Sequence, residues 1–262
     1  MKNRPLPCGA IFYLYSQLHL MLCDSHVHIG RAESGFDVPL EFIAKSMFAC
    51  NIDRFLYFSV AYQTESAQYF SKWCEDEERM SLASNGAGVP CLWMTYEMFT
   101  TPEKFVSGNW KALKFHAGCE DRTLKDTALE LLFEVAENYR KPLILHTGED
   151  YYCSCSRYKN MIKNHKNAVV ILAHGRPLSG ALECLAESEN VFVDTAYMPL
   201  EAAKTVADAG FADRLVFGSD FPVDRYFFPN EDVVARYNKN KCEYLSAFGE
   251  KIFNDNFCRL FL

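Results

Sequence analysis

The sequence predicts a single-domain (β/α)8 TIM barrel, and three observations carry that expectation. Short apolar runs recur eight times, segments with helical spacing fall between them, and ionisable side chains gather at the C-terminal ends of the runs. A chain of 262 residues is long for an ordinary core but within the range of one such barrel. An open doubly wound sheet is the other architecture compatible with the same alternation.

The runs, in order, are "LMLCDSHV" (20–27), "DRFLYFSV" (53–60), "VPCLWMTY" (89–96), "WKALKFH" (110–116), "PLILHTG" (142–148), "AVVILAHG" (168–175), "VFVDTAY" (191–197) and "RLVFGSD" (214–220). Several lack polar alternation, as parallel strands buried on both faces do. Between the fourth and fifth, Leu124, Ala128, Leu131, Leu132, Val135, Ala136 and Tyr139 recur at spacings of three and four, and Lys141 followed by Pro142 marks the end of that helix. Segments 40–50, 64–83, 178–187 and 199–209 read as helices by the same rule, a short helix is expected near 102–107, and residues 229–262 supply the last one or two.

The composition, 49% hydrophobic and 23% charged, is that of a globular protein with a sizeable core. A net charge of −7 without a basic stripe argues against nucleic acid as a partner, because a phosphate backbone demands clustered Lys and Arg. Eleven scattered cysteines without a regular framework point to reduced thiols in a cytosolic enzyme. Cys153 and Cys155 in "YYCSCSRY" are read as thiols of an ordinary loop, a C-x-C metal pair being the other reading. Residues 1–20 are read as an N-terminal extension, with Met21 as a candidate functional start and 21–262 as the barrel. Lys2 and Arg4 precede an apolar stretch, but Ser16, Gln17 and His19 interrupt it and no small-residue cleavage site follows. No run reaches the roughly 18 apolar residues of a membrane span, so no membrane partner is expected.

His26 and His28 end the first run, Lys114 and His116 the fourth, His146 the fifth, His174 the sixth and Asp220 the eighth. Active sites of these barrels are built at that end. Residues i and i+2 of a strand share a face, so His26 and His28 project together as a bidentate pair, although alternating histidines also occur on solvent-facing strands. His146, His174 and Asp220 each close an apolar run, where a polar group needs a partner. A shared metal ion supplies one.

The set resembles the amidohydrolase superfamily of metal-dependent barrels. "DSHVHIG" resembles its first-strand H-x-H motif, "LILHTG" its fifth-strand histidine, "ILAHGRP" its sixth-strand histidine and "VFGSDFP" its eighth-strand aspartate. "ALKFHAG" is similar to the fourth-strand signature of the branch related to aminocarboxymuconate semialdehyde decarboxylase. The resemblance implies that His26, His28, His146 and Asp220 bind one Zn²⁺ or similar divalent ion, whose bound water has a pKa near 7. It also implies Asp220 as the general base and His174 as the residue that orients water or polarises the substrate. If Lys114 were carbamylated, His146 and His174 would hold a second ion; an unmodified Lys114 would instead sit near a substrate anion.

His116 shares the face of Lys114 and is read as a pocket residue. Arg31 and Arg176, each following a "HIG" or "AHG" loop, are candidates to clamp a substrate anion with a guanidinium fork. Tyr197, Asp224 and Arg225 are placed within reach of the pocket, Asp194 is read as structural and paired across the barrel, and Glu149 and Asp150 as loop acids. The aromatic stretch "RYFF" is read as packing or loop cover. The expected activity is hydrolysis of an amide, ester or lactone in a small molecule by metal-activated water, with non-oxidative decarboxylation of an aromatic or unsaturated acid as the alternative. A homodimer stays open.

Overall fold

The structure is a computed structural model that describes residues 21–30, 37–59, 66–120 and 124–262. Eight strands, β1 (Cys23–Ile29), β2 (Arg54–Ser59), β3 (Gly88–Trp93), β4 (Ala112–Phe115), β5 (Leu143–His146), β6 (Val170–Ala173), β7 (Val191–Asp194) and β8 (Leu215–Val216), lie side by side in chain order, each parallel to the next. The circuit closes where β1 meets the chain beyond β8. Ser25 N–H donates to the Phe217 carbonyl at 2.8 Å, Asp220 N–H to the His26 carbonyl at 2.9 Å, and His28 N–H to the Phe221 carbonyl at 2.7 Å. The expected (β/α)8 barrel is thus the observed fold.

The strands are buried along nearly their whole length, as continuous apolar runs require. Helices α1 (Leu40–Ala49), α2 (Ser66–Ala83), α3 (Tyr96–Thr100), α4 (Asp126–Tyr139), α5 (Cys155–Asn164), α6 (Leu178–Glu187), α7 (Leu200–Val206), α8 (Asp224–Phe227), α9 (Val233–Phe248) and α10 (Asp255–Phe261) fall between or after them. In α4 the buried stripe is Leu129, Leu132, Phe133, Val135 and Ala136, and each fully buried Leu or Phe contributes roughly 1.5–3 kcal/mol. Arg140 ends that helix in the left-handed region at φ 51°, just before Pro142 forbids continuation. In α9 the Asp232 carboxylate caps the N-terminus by accepting from Val234 and Ala235 N–H at 2.9 and 3.1 Å.

Three expectations are corrected. After β3 the chain forms α3 at 96–100 and a single 3-10 turn at 102–104, so the short helix comes earlier than 102–107. The "CSC" stretch is only half a loop, because Cys155 opens α5, whose buried residues Cys155, Tyr158, Met161 and Ile162 sit at spacings of three and four. The eighth run is a strand only at Leu215 and Val216; beyond them Phe217 and Asp220 reach β1 through single backbone bonds, and Asp220 turns into the left-handed region at φ 65°. Residues 1–20 lie outside the described residues. Among the described residues, no helix is long and apolar enough to cross a membrane.

One glycine fixes how closely the barrel closes on itself. A Cβ on Gly218 would lie 2.9 Å from the His26 Cβ and 3.3 Å from the Asp194 Cβ, so a side chain there would wedge β8 away from β1 and β7. Its absence lets three chemistry-bearing strand ends meet.

Candidate metal centre

Backbone strain marks the place. His174, Tyr197 and Asp220, at the exits of β6, β7 and β8, have φ values of 69°, 48° and 65°. Left-handed backbone at non-glycine residues costs about 1–3 kcal/mol each and persists where the surroundings over-determine it. All three face one cavity.

His26 and His28 leave β1 on the same side, as their spacing requires. His26 Nδ1 lies 2.7 Å from Asp194 Oδ2, so the ring donates its Nδ1 proton to that carboxylate and turns Nε2 toward Asp220 Oδ1 at 2.9 Å. His28 Nε2 stands 2.7 Å from the same Asp220 oxygen. Two ring nitrogens on one buried carboxylate oxygen set the local electrostatics. Burial alone would raise the Asp220 pKa, but the facing His26 and His28 rings hold it well below the usual carboxylate range. At His26, burial and then Lys114 act to lower the pKa, yet Asp194 and Asp220 outweigh them and raise it. At His28 burial wins, only partly offset by Asp220, and the value falls.

His174 completes the group: donor atoms of His26, His174 and Asp220 all lie within 4.8 Å of one another. Its orientation is set by two backbone bonds. His174 N–H donates to Asp194 Oδ1 at 3.0 Å, and Nδ1–H donates to the Ala196 carbonyl at 2.9 Å, which leaves Nε2 bare. His146 Nδ1 lies 3.1 Å from that bare Nε2 and therefore donates to it. Burial is the main reason both rings stay neutral, with His174 brought down to about 4 and His146 well below its ordinary value.

The donor chemistry fits a divalent cation. Three imidazoles and an ionised carboxylate converge in a buried volume with only oxygen and nitrogen donor atoms, the set used by catalytic zinc and related ions. Among the described residues the buried His26 Nε2 has no hydrogen-bond partner, as a ligand atom facing an ion would not. Asp194 stands behind this set as the carboxylate that fixes the tautomer of the His26 imidazole. The sequence reading had it as structural. It pairs as expected, but its partner is His26, and the signal was the same one used elsewhere, an acid at the end of an apolar run.

The structure brings His26, His28, His174 and Asp220 together, and sets His146 beside them through His174. His146 also stacks on His116, rings 3.5 Å apart and 11° from parallel, in a second group with Cys153. A cavity of about 480 Å³ opens above the centre, lined by His28, His116, His146, His174 and Asp220 together with Lys114, Arg176, Trp93, Tyr197, Phe227 and Phe228. Lys114 is buried with Nζ 4.9 Å over the Phe58 ring and no hydrogen-bond partner among the described residues. Burial lowers its pKa against the pull of Asp194 and Asp220. Arg176 donates to the Tyr197 carbonyl at 2.5 Å on the cavity wall.

Arg31 lies outside the described residues. Asp224 ion-pairs with Arg236 at 3.2 Å, whereas Arg225 lines a separate surface depression with Asp37 and Tyr226 and does not line the cavity. Asp150 caps its own turn by accepting from Cys153 N–H at 3.0 Å. Trp93 and the "RYFF" pair Phe227 and Phe228 were not foreseen as cavity wall; an aromatic at a strand end was the available signal for Trp93.

Solved structures with the same fold include a probable 2-pyrone-4,6-dicarboxylic acid hydrolase from Acinetobacter baumannii with citric acid bound, at TM-score 0.66 and 11% identity over 91% of this chain and 98% of that one. A 5-carboxyvanillate decarboxylase from Novosphingobium aromaticivorans, complexed with manganese and 4-hydroxy-3-methoxy-5-nitrobenzoic acid, gives TM-score 0.66 and 9% identity over 92% and 96%. An amidohydrolase from Burkholderia multivorans with bound zinc gives 0.61 and 13% over 92% and 98%. No curated protein matches this chain. The sequence profile of the family described as Amidohydrolase matches residues 100–261, and with the barrel and its strand-end histidines the conclusion is that the chain belongs to the amidohydrolase family.

Proposed function

We propose that this amidohydrolase is a metal-dependent hydrolase that cleaves an amide, ester or lactone bond of a small molecule. The observation that carries the proposal is Asp220 Oδ1 faced by His26 Nε2 and His28 Nε2 at 2.9 and 2.7 Å, beneath a cavity large enough for a small substrate. One divalent ion, held by His26, His28, His146 and Asp220 with His174 alongside, would supply Lewis acidity and a water more acidic than bulk. Asp220 is ionised throughout the neutral range and is a weak base there, so it would take a proton only from a water that the ion has made more acidic, and later return it to the leaving group. His174, neutral and with Nε2 as an acceptor, would orient the attacking water once His146, which donates to that nitrogen, turns to the ion. Asp194 keeps His26 in the one tautomer that presents Nε2. Lys114 and Arg176 hold the substrate's negative end, and the aromatic wall excludes water around it.

Lys114 also favours a second reading. An unpaired buried cation in the pocket calls for an acidic substrate, as non-oxidative decarboxylation of an aromatic or unsaturated carboxylic acid would provide. A panel of lactones, esters, amides and aromatic acids, assayed in parallel for acid release and for CO₂ release, tests both. Acid release dependent on added metal supports hydrolysis; CO₂ release alone overturns it in favour of the lyase.

A further inference from the structure

We infer that His116 is a substrate-binding hydrogen-bond donor, locked in its Nε2–H tautomer, that grips a substrate oxygen beside Lys114. The inference rests on the reading that the cavity over the metal centre is the substrate site. It starts from one backbone bond: Gly118 N–H donates to His116 Nδ1 at 3.1 Å. A ring nitrogen that accepts carries no proton, so the neutral ring must carry its proton on Nε2.

The ring has no freedom to choose otherwise. His146 stacks on one face at 3.5 Å, and Trp93 lies within 6.1 Å at 28° from parallel. Gly118 approaches so closely that a Cβ there would lie 3.0 Å from His116 Cε1 and 3.2 Å from Cys153 Sγ, so a side chain would push on the ring that the backbone bond holds. A protonated ring would carry a proton on Nδ1 and could not accept from Gly118, so the same backbone bond holds the ring neutral. Two imidazoles at 3.5 Å tolerate one another only if they are not both charged. His116 is therefore built to donate a hydrogen bond and not to shuttle a proton.

Lys114 and His116 both line the cavity from the end of β4. A cation and a neutral donor two residues apart make a receptor for a carboxylate or carbonyl oxygen: Lys114 supplies charge, and His116 supplies direction. A neutral imidazole used as a donor to substrate oxygen is an established catalytic device in other barrels.

Two variants separate the donor from the brace. In His116→Asn the side-chain oxygen takes the Nδ1 position and can still accept from Gly118, but the Nε2 donor is gone. In His116→Gln the amide nitrogen reaches the Nε2 position, while the Gly118 acceptor is lost. Benzoate binding to the metal-loaded proteins, read by calorimetry, is expected to weaken about 10- to 100-fold in His116→Asn and to stay within about threefold of wild type in His116→Gln. The reverse order, equal affinities for all three proteins, or no benzoate binding by wild type overturns the proposal. Long-range 1H–15N NMR of histidine-labelled protein reads the tautomer directly. A persistent Nε2–H signature at neutral pH is expected, and an Nδ1–H signature overturns it. Metal content of the same samples keeps the two readings apart, since absence of metal overturns the hydrolase reading while the NMR signature still decides His116.

Discussion

The Asp194 carboxylate on β7 accepts the Nδ1 proton of His26 on β1 at 2.7 Å, and its other oxygen accepts the backbone N–H of His174 at 3.0 Å. One side chain thus orients two members of the candidate metal-binding group. Replacing Asp194 with Asn removes the charge that fixes the His26 tautomer while nearly preserving shape. Zinc affinity of Asp194→Asn, measured by chelator competition, is expected to fall about 10- to 100-fold. Unchanged affinity would show that His26 needs no such partner.

In the proposed reaction Asp220 would serve as both metal ligand and proton carrier. Asp220→Asn keeps an oxygen near the two imidazoles but cannot take a proton, so turnover is expected to drop about 10²- to 10⁴-fold by an amount that lost metal does not explain. Activity per bound ion is the quantity to compare. If it matches wild type, Asp220 is a ligand and nothing more.

Gly218→Ala tests the closure of the barrel. The added methyl would sit 2.9 Å from the His26 Cβ and 3.1 Å from the Ser25 Oγ, in a region with no space to yield. A stability loss of about 1–3 kcal/mol is expected, seen as a lower Tm, accompanied by weaker metal binding because His26 is the residue displaced. A stable variant with native metal affinity would contradict the close-approach argument.

A pH-dependent contribution to stability lies far from the centre. His165, beyond α5, bonds Glu137 at 2.9 Å and Glu130 at 2.6 Å on α4. Burial works to lower its pKa, but the bonds to Glu137 and Glu130 outweigh it and raise the value. A raised folded-state pKa contributes stability that is complete below the unfolded value near 6.5 and is lost as pH rises through the folded value. The Tm difference between wild type and His165→Gln is therefore expected to be larger near pH 6 than near pH 9. A difference that grows with pH would reverse the sign of this interaction.

The barrel is legible because eight buried parallel strands cannot avoid reading as apolar runs, and the candidate site because His26, His28, His146, His174 and Asp220 stand where those runs end. Helix α5 was not, since Cys155, Tyr158, Met161 and Ile162 carry the helical spacing amid lysines and cysteines that resemble a metal loop. The use of each imidazole was also hidden. Tautomers here depend on Asp194, on the Ala196 carbonyl and on the Gly118 N–H, partners that come from other strands or from a turn of backbone that no spacing rule encodes. For the same reason Asp194 looked like a structural acid, and Phe227 and Phe228 like mere cover.

The most direct test of the metal centre is anomalous diffraction, combined with elemental analysis, on protein purified without chelator. The expected result is one divalent ion per chain, bonded to His26 Nε2, His28 Nε2, a His146 ring nitrogen and an Asp220 oxygen. A metal content near zero that added zinc or manganese does not raise, or an ion located elsewhere, would contradict it.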